Sequence, residues 1–414
     1  MTPFAYRDGE LTAERVPLSA VAARFGTPCY VYSKAALSGA FREFDAAFEG
    51  VPHLVCYAMK ANSNLAVLDL FARLGSGFDI VSGGELARVL AAGGDPRKVV
   101  FSGVGKTEAE MATALAAGIL CFNVESEGEL ERLDAVAQRM GRRAPVSFRV
   151  NPDVDPKTHP YIATGLKESK FGVAFEAAPG LYRRAAGMPH IAVKGIDIHI
   201  GSQIIELEPY REAASKVLDL VDRLRGDGIP LAHVDLGGGL GIRYRDESPV
   251  TLDAYAQMVR TLFAGRTEQV LFEPGRRLVG GAGLLLTRVE YLKPGATKSF
   301  AIVDAAMNDL LRPALYDAWH PVDPVRPRVG GERQWDVVGP VCESGDFLAR
   351  DRMLALAPGD LLAIGAAGAY SMAMSSNYNT RGRACEVIVD DSDVHLVRRR
   401  ERADELFSLE SKLP

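Results

Sequence analysis

Eight short apolar runs recur at intervals along the first two thirds of the chain: Leu54–Ala58, Phe78–Val81, Val99–Ser102, Leu120–Val124, Val146–Val150, Ile196–Ile200, His233–Leu236 and Val270–Phe272. Between most of them lie helical patterns rich in Ala, Leu, Glu and Arg. Runs of this kind read as strands buried on both faces, the mark of a parallel sheet. Parallel neighbours need a long crossover, so the alternation restricts the chain to strand–helix units. Eight such units over roughly 230–250 residues match a (β/α)8 TIM barrel. A doubly wound sheet is the alternative. It would want a glycine-rich turn after its first strand, and here that turn reads Ala58-Met59-Lys60-Ala61-Asn62.

Helix starts are marked by capping-box spacing at Ser82-x-x-Glu85, Thr107-x-x-Glu110 and Ser126-x-x-Glu129. An earlier helix carries Leu37, Phe41, Phe44 and Phe48 on one face, with Ser33 as its cap. After about residue 280 the rhythm changes to strands with few helices: Leu284–Leu292, Phe300–Asp304, Trp335–Val338, Leu361–Ile364, Glu386–Val389 and Val394–Val397. Cys29–Tyr32 reads as a strand of the same set. The expected division is a barrel over residues 37–280 and a β domain built from 1–36 and 281–414. Segments 151–172 and 312–333 read as the longest loops, the first a lid candidate.

Composition narrows the function. The net charge over 414 residues is −5, and the basic run Arg398–Arg400 with Arg402 is interrupted and followed by Glu401, Asp404 and Glu405, so no nucleic-acid partner is expected. Five scattered cysteines without C-x-x-C, and seven histidines without H-x-x-x-H, suggest neither a disulfide framework nor a metal site. No apolar run approaches the ~18 residues of a membrane span. An acidic N-terminal stretch (Asp8, Glu10) is no secretory signal, so a cytoplasmic protein is expected.

Chemistry-bearing residues collect where the barrel strands end, the face that carries active sites in this architecture. They are Lys60; Asp79 with Ser82; Arg149 and Asn151; His199 with Gly201-Ser202-Gln203; Gly237-Gly238-Gly239; and Glu273-Pro274-Gly275-Arg276. A lysine drawn into a barrel mouth is partly desolvated and suited to Schiff-base chemistry; a snorkelling lysine is the plain alternative. Three successive glycines suit an anion, where one would serve a tight turn. Glu273 and Arg276 read either as a surface ion pair or as a carboxylate facing a ring nitrogen and a guanidinium facing a substrate carboxylate. His199 reads as a core histidine or as a ring stacked on a cofactor. In Cys342-Glu343-Ser344-Gly345-Asp346 the cysteine is by default buried and inert. The pair could instead act as proton donor and ammonium recogniser. Arg312-Pro313-Ala314-Leu315-Tyr316 reads as a carboxylate clamp or a loop anchor.

Taken in order, Tyr57-Ala58-x-Lys60-Ala61-Asn62, His199-Ile200-Gly201-Ser202-Gln203, the triglycine, Glu273-Pro274-Gly275-Arg276, Cys342-Glu343-Ser344-Gly345-Asp346 and Gly368-Ala369-Tyr370 resemble the alanine-racemase-fold PLP-dependent decarboxylases. The resemblance runs from Tyr6-Arg7-Asp8-Gly9 to the last strands. It implies a fold-type III architecture with pyridoxal 5'-phosphate, PLP, as cofactor. It also implies a homodimer with shared active sites. By the same resemblance Lys60 carries the cofactor, His199 stacks on its ring, Glu273 meets the ring nitrogen and Asp79 lies near Lys60. Ser202, Gly237, Gly238, Gly239 and Tyr370 hold the phosphate or lie beside it, and Gly275 and Arg276 also bind the cofactor. Arg276, Arg312, Tyr316 and Tyr370 bind substrate, Glu343 takes its distal ammonium, and Cys342 is the proton donor.

The implied activity is decarboxylation of meso-2,6-diaminopimelate at its D-centre to L-lysine and CO2, the last step of lysine biosynthesis. A substrate with a second amino-acid head needs a distal carboxylate clamp, which Arg276 and Arg312 would supply. The alternative within the fold is a decarboxylase of ornithine, arginine, lysine or carboxynorspermidine. A cofactor-less binding protein should lack some of Lys60, Glu273 and Cys342, and all three are present. A metal-dependent barrel hydrolase is disfavoured by the scattered histidines.

Overall fold

The apolar runs do form strands. The computed structural model describes residues 3–156, 158, 164–165 and 169–414. In it the first five strands are His53–Ala58, Gly77–Ile80, Val99–Phe101, Cys121–Val124 and Ala144–Asn151. The last three are Ile191–Asp197, His233–Asp235 and Gln269–Phe272. Each pairs in parallel with its neighbours in sequence. The eighth pairs with the first, Val270 opposite His53 and Phe272 opposite Val55, which closes the barrel. Valines, phenylalanines and cysteines of these strands are buried, apart from half-buried Val193, as expected where helices cover a sheet from outside.

The sixth strand differs from its expected span. It starts at Ile191, not Ile196, and ends at Asp197, so His199 lies beyond the strand. The first half was hidden because exposed Lys194 breaks the apolar run. The register shifts between Val193 and Gly195 at that point. Gly195 is required there: a Cβ would sit 2.1 Å from the His233 ring nitrogen.

The capping signals hold. Ser82, Thr107 and Ser126 each accept a hydrogen bond from the backbone amide three residues on. Ser33 caps the helix Lys34–Ala47 through the Ala36 amide, and its Phe44 and Phe48 pack on Phe272. Each cap is worth about 1 kcal/mol.

Contact clustering separates two units: Phe41–Ile242 with Ser248–Arg277, which holds the barrel, and Met1–Ala40 with Arg243–Glu247 and Leu278–Pro414. In the second unit both ends of the chain build one sheet. The strand Cys29–Ser33 lies between Gly283–Lys293, antiparallel to it, and Cys385–Asp390, parallel to it. Val31, Leu284, Leu286, Val387 and Val389 form its core. Segment 312–333 is not a plain loop, for it contains the helix Arg312–Tyr316 and the strand Val322–Pro324. The lid candidate 151–172 lies partly outside the described residues, at 157, 159–163 and 166–168.

Candidate active site

Lys60 stands in the turn Met59–Ala61 that follows the first strand. That strand end is tied to the eighth by the Ala58 amide, which donates to the Pro274 carbonyl at 3.2 Å. The Lys60 ammonium donates to Asp79, which sits beside Ala58 in the register of the second strand. Asp79 is wholly buried and Lys60 about one-third exposed, so the lysine is an ion-paired residue and not a freely snorkelling one. Among the described residues the other Asp79 oxygen has no hydrogen-bond partner.

The triglycine turn is dictated by close backbone approaches. A Cβ on Gly237 would lie 2.4 Å from the Ile198 carbonyl, on Gly238 2.2 Å from the Glu273 carbonyl, and on Gly239 2.4 Å from the Gly201 carbonyl. Gly237 and Gly239 also take positive φ, 66° and 99°. The turn therefore needs all three glycines whatever it binds, and the argument that one would have sufficed does not stand. Its amides are accounted for in part. Gly237 donates to Asp235 at 2.8 Å and Gly238 to His199 Nδ1 at 3.2 Å. Among the described residues the Gly239 amide has no acceptor. Because His199 Nδ1 accepts, its proton sits on Nε2. Burial, with Arg149 and Lys60 nearby, holds its pKa well below the ordinary value, so the ring is neutral.

Glu273 and Arg276 follow the eighth strand, and both are buried, which excludes the surface ion pair. Arg276 donates to Ser202 Oγ at 3.0 Å. One oxygen each of Asp197, Asp235 and Glu273 lies within 4.8 Å of the others, and all three residues are buried. Among the described residues Glu273 Oε1, Asp197 Oδ1 and Asp235 Oδ2 have no hydrogen-bond partner. Burial first, and mutual repulsion second, raise the pKa of Glu273 and Asp197 well above the carboxylate range. Burial pushes Asp235 up to about 7. Burial and mutual repulsion thus favour the neutral forms of these carboxyls, and a cationic group placed among them would oppose that shift.

A carboxyl with a raised folded pKa keeps a proton that the unfolded chain has released, so its contribution to stability falls as pH rises toward the folded pKa. Asp235→Asn removes that loss. Between pH 5 and 8 the stability of the cofactor-free variant should gain on that of the parent. The opposite slopes of His199 and His233, whose pKa values are lowered, cancel in this difference. Paired denaturant titrations measure it, and a difference independent of pH would contradict the raised pKa of Asp235.

Asp197 and Asp235 were absent from the sequence-based site, and Arg149 was named at its strand end without a role. Asp197 and Asp235 were legible as acids inside apolar strands. Arg149 is buried, 3.6 Å from Glu125, and donates to the His199 carbonyl at 3.3 Å.

In the second unit, Arg312 is buried and its guanidinium stacks 4.6 Å over the Tyr244 ring. Tyr316 ends the same short helix. Cys342 is exposed, against the default of a buried cysteine, and Glu343 beside it is exposed too. Their loop is braced by buried Asp346, which accepts from the Val341 and Met307 amides at 2.8 and 2.6 Å. Tyr370 holds φ at 53°, a conformation a bulky side chain rarely adopts and one that gathers at functional sites.

Comparison with known proteins places this geometry. Residues 34–280 match the family described as Pyridoxal-dependent decarboxylase, pyridoxal binding domain. The diaminopimelate decarboxylase of Pseudomonas aeruginosa is 62% identical over the full length of both chains, and that of Vibrio cholerae 56%. Among solved structures, diaminopimelate decarboxylase from Helicobacter pylori complexed with L-lysine superposes with a TM-score of 0.92 at 43% identity, over 95% of this chain and 99% of that one. The M. jannaschii enzyme gives 0.95 at 37% identity, over 100% and 98%.

Proposed function

The chain belongs to the pyridoxal-dependent decarboxylases, in the diaminopimelate decarboxylase branch, and from that premise we propose how its residues perform the reaction. The reaction removes CO2 from the D-centre of meso-2,6-diaminopimelate and yields L-lysine, completing lysine biosynthesis.

The barrel mouth fits pyridoxal phosphate on its own features. Glu273 offers a buried, unpartnered oxygen for a protonated ring nitrogen. The Gly239 amide, without an acceptor among the described residues, is free for a phosphate oxygen. When bound, the cofactor supplies an electron sink for the carbanion left as CO2 departs. Lys60 would hold it covalently. Asp79, paired with Lys60, fixes the amine's position and accepts its proton. His199, neutral, would lie against the ring and adds no charge there.

Facing a protonated ring nitrogen, Glu273 would be held ionised, since an opposite charge beside a carboxyl lowers its pKa, and Asp197 and Asp235 lie beside it. Ser202, Gly237, Gly238 and Gly239 would hold the phosphate, with Tyr370 beside it, and Gly275 and Arg276 would also contact the cofactor. Arg312 and Tyr316, with Arg276, would take the distal carboxylate, and Glu343 the distal ammonium. Cys342 would return the proton to Cα.

Glu273 is the observation that carries this reading: a wholly buried carboxyl with an orphaned oxygen, within electrostatic reach of Lys60. We extend the proposal to a homodimer in which a second copy of the chain supplies Cys342 and Glu343. Their exposure on a braced loop supports it. No helix among the described residues is long and apolar enough to cross a membrane. All five cysteines are unpaired, in accord with a reducing compartment, and we propose the cytoplasm. Release of CO2 from the substrate by the PLP-loaded protein tests the reading.

A further inference from the structure

Arg312 opens the helix Arg312–Tyr316, and the chain then turns back on it. Asp317 takes the left-handed conformation, φ 52°, and the fully buried His320 brings Nε2 to 2.7 Å from Arg312 Nη1. A guanidinium has donors only, so Nε2 accepts. The ring proton therefore sits on Nδ1, which donates to the Gly365 carbonyl at 2.9 Å. The Gly365 amide returns a bond to the Pro321 carbonyl at 2.9 Å. A Cβ on Gly365 would lie 2.8 Å from the Pro321 ring, so the anchor needs glycine. Tyr244 completes the clamp. Its ring lies under the guanidinium and meets the imidazole edge-on at 5.4 Å.

We infer that His320 is a positioning residue for substrate recognition, one that sets the orientation of Arg312 without touching the reacting atoms. The inference rests on the reading of Arg312 as a clamp for the distal carboxylate. An arginine side chain is long and loses rotamer freedom when it binds; one already held has lost it before the ligand arrives. The chemistry of the partner matters equally. A carboxylate in place of His320 would neutralise the guanidinium and compete with the substrate. A neutral imidazole fixes the guanidinium without placing a negative charge beside it.

The test is steady-state kinetics on meso-diaminopimelate with the PLP-loaded enzyme, its thermal midpoint and cofactor absorbance followed in parallel. His320→Asn is too short to reach Arg312 and should raise KM roughly tenfold or more, with kcat within about twofold. His320→Gln carries an acceptor near the present Nε2 position and should stay within about threefold of the parent in KM. Arg312→Lys should raise KM further than either.

A normal KM in Arg312→Lys overturns the clamp reading and this inference with it. A raised KM there with a normal KM in His320→Asn overturns the inference alone. Equal losses in the Asn and Gln variants, a fall in kcat without a change in KM, or failure of both to fold assigns His320 a purely structural role and also overturns it.

Discussion

Lys60→Ala should abolish the absorbance of the covalently held cofactor and lower kcat by at least about 10³-fold. The argument is local. Lys60 follows the first strand, its ammonium is drawn onto a wholly buried carboxylate, and the strand behind it is fixed to the eighth by a backbone hydrogen bond. The amine is thus placed by the fold. Removal also leaves Asp79 as a buried carboxylate without its cation, which costs stability. Lys60→Arg separates the two effects. It keeps a positive charge toward Asp79 but offers no amine able to form the covalent bond. It should fold as well as the parent and lose the absorbance all the same. A normal cofactor spectrum in either variant would remove Lys60 from the mechanism.

Glu273→Gln should retain the cofactor and lose about 10²–10³-fold in kcat. A carboxylate beside a ring nitrogen holds it protonated; an amide of the same shape does not. The substitution also has a second expected effect of opposite sense. Glu273 sits against Asp235, Asp79 and Asp197, whose repulsion, with burial, raises its pKa. Removing one acid from that cluster relieves repulsion, so the thermal midpoint of the cofactor-free variant should hold or rise. Activity lost while stability is kept would identify an electrostatic role. Near-full activity would refute it.

Most of the barrel was legible because its strands are buried on both faces and read as uninterrupted apolar runs. The exception, the first half of Ile191–Asp197, shows the limit of that signal. Lys194 sits at a register shift, and the pattern restarts only at Ile196, so the strand was placed too late. In the second unit the strand Phe347–Leu354 went unread because Arg350, Asp351 and Arg352 fill its middle, where Arg350 and Asp351 are exposed. The amino-terminal hairpin Phe4–Arg7 with Glu10–Ala13 was missed for its shortness.

The site shows the same contrast. Lys60, His199 and Glu273 stood out as polar residues closing apolar runs. Asp197 and Asp235 are embedded within such runs, where a single acid looks like a flaw in the pattern. Only the closed barrel brings them to within 4.8 Å of Glu273. The triglycine was legible as a turn, but its steric cause was not. The carbonyls that forbid a Cβ there come from Ile198, Gly201 and Glu273, which the sequence leaves far apart.

The most direct test of the account is CO2 release by the PLP-loaded protein from meso-diaminopimelate, beside L,L-diaminopimelate, L-lysine, L-ornithine and L-arginine. The account predicts release from the meso compound alone, with L-lysine as product, because decarboxylation occurs at the D-centre and the proposed carboxylate clamp needs a second amino-acid head. Release from ornithine, arginine or lysine, with none from meso-diaminopimelate, would contradict it.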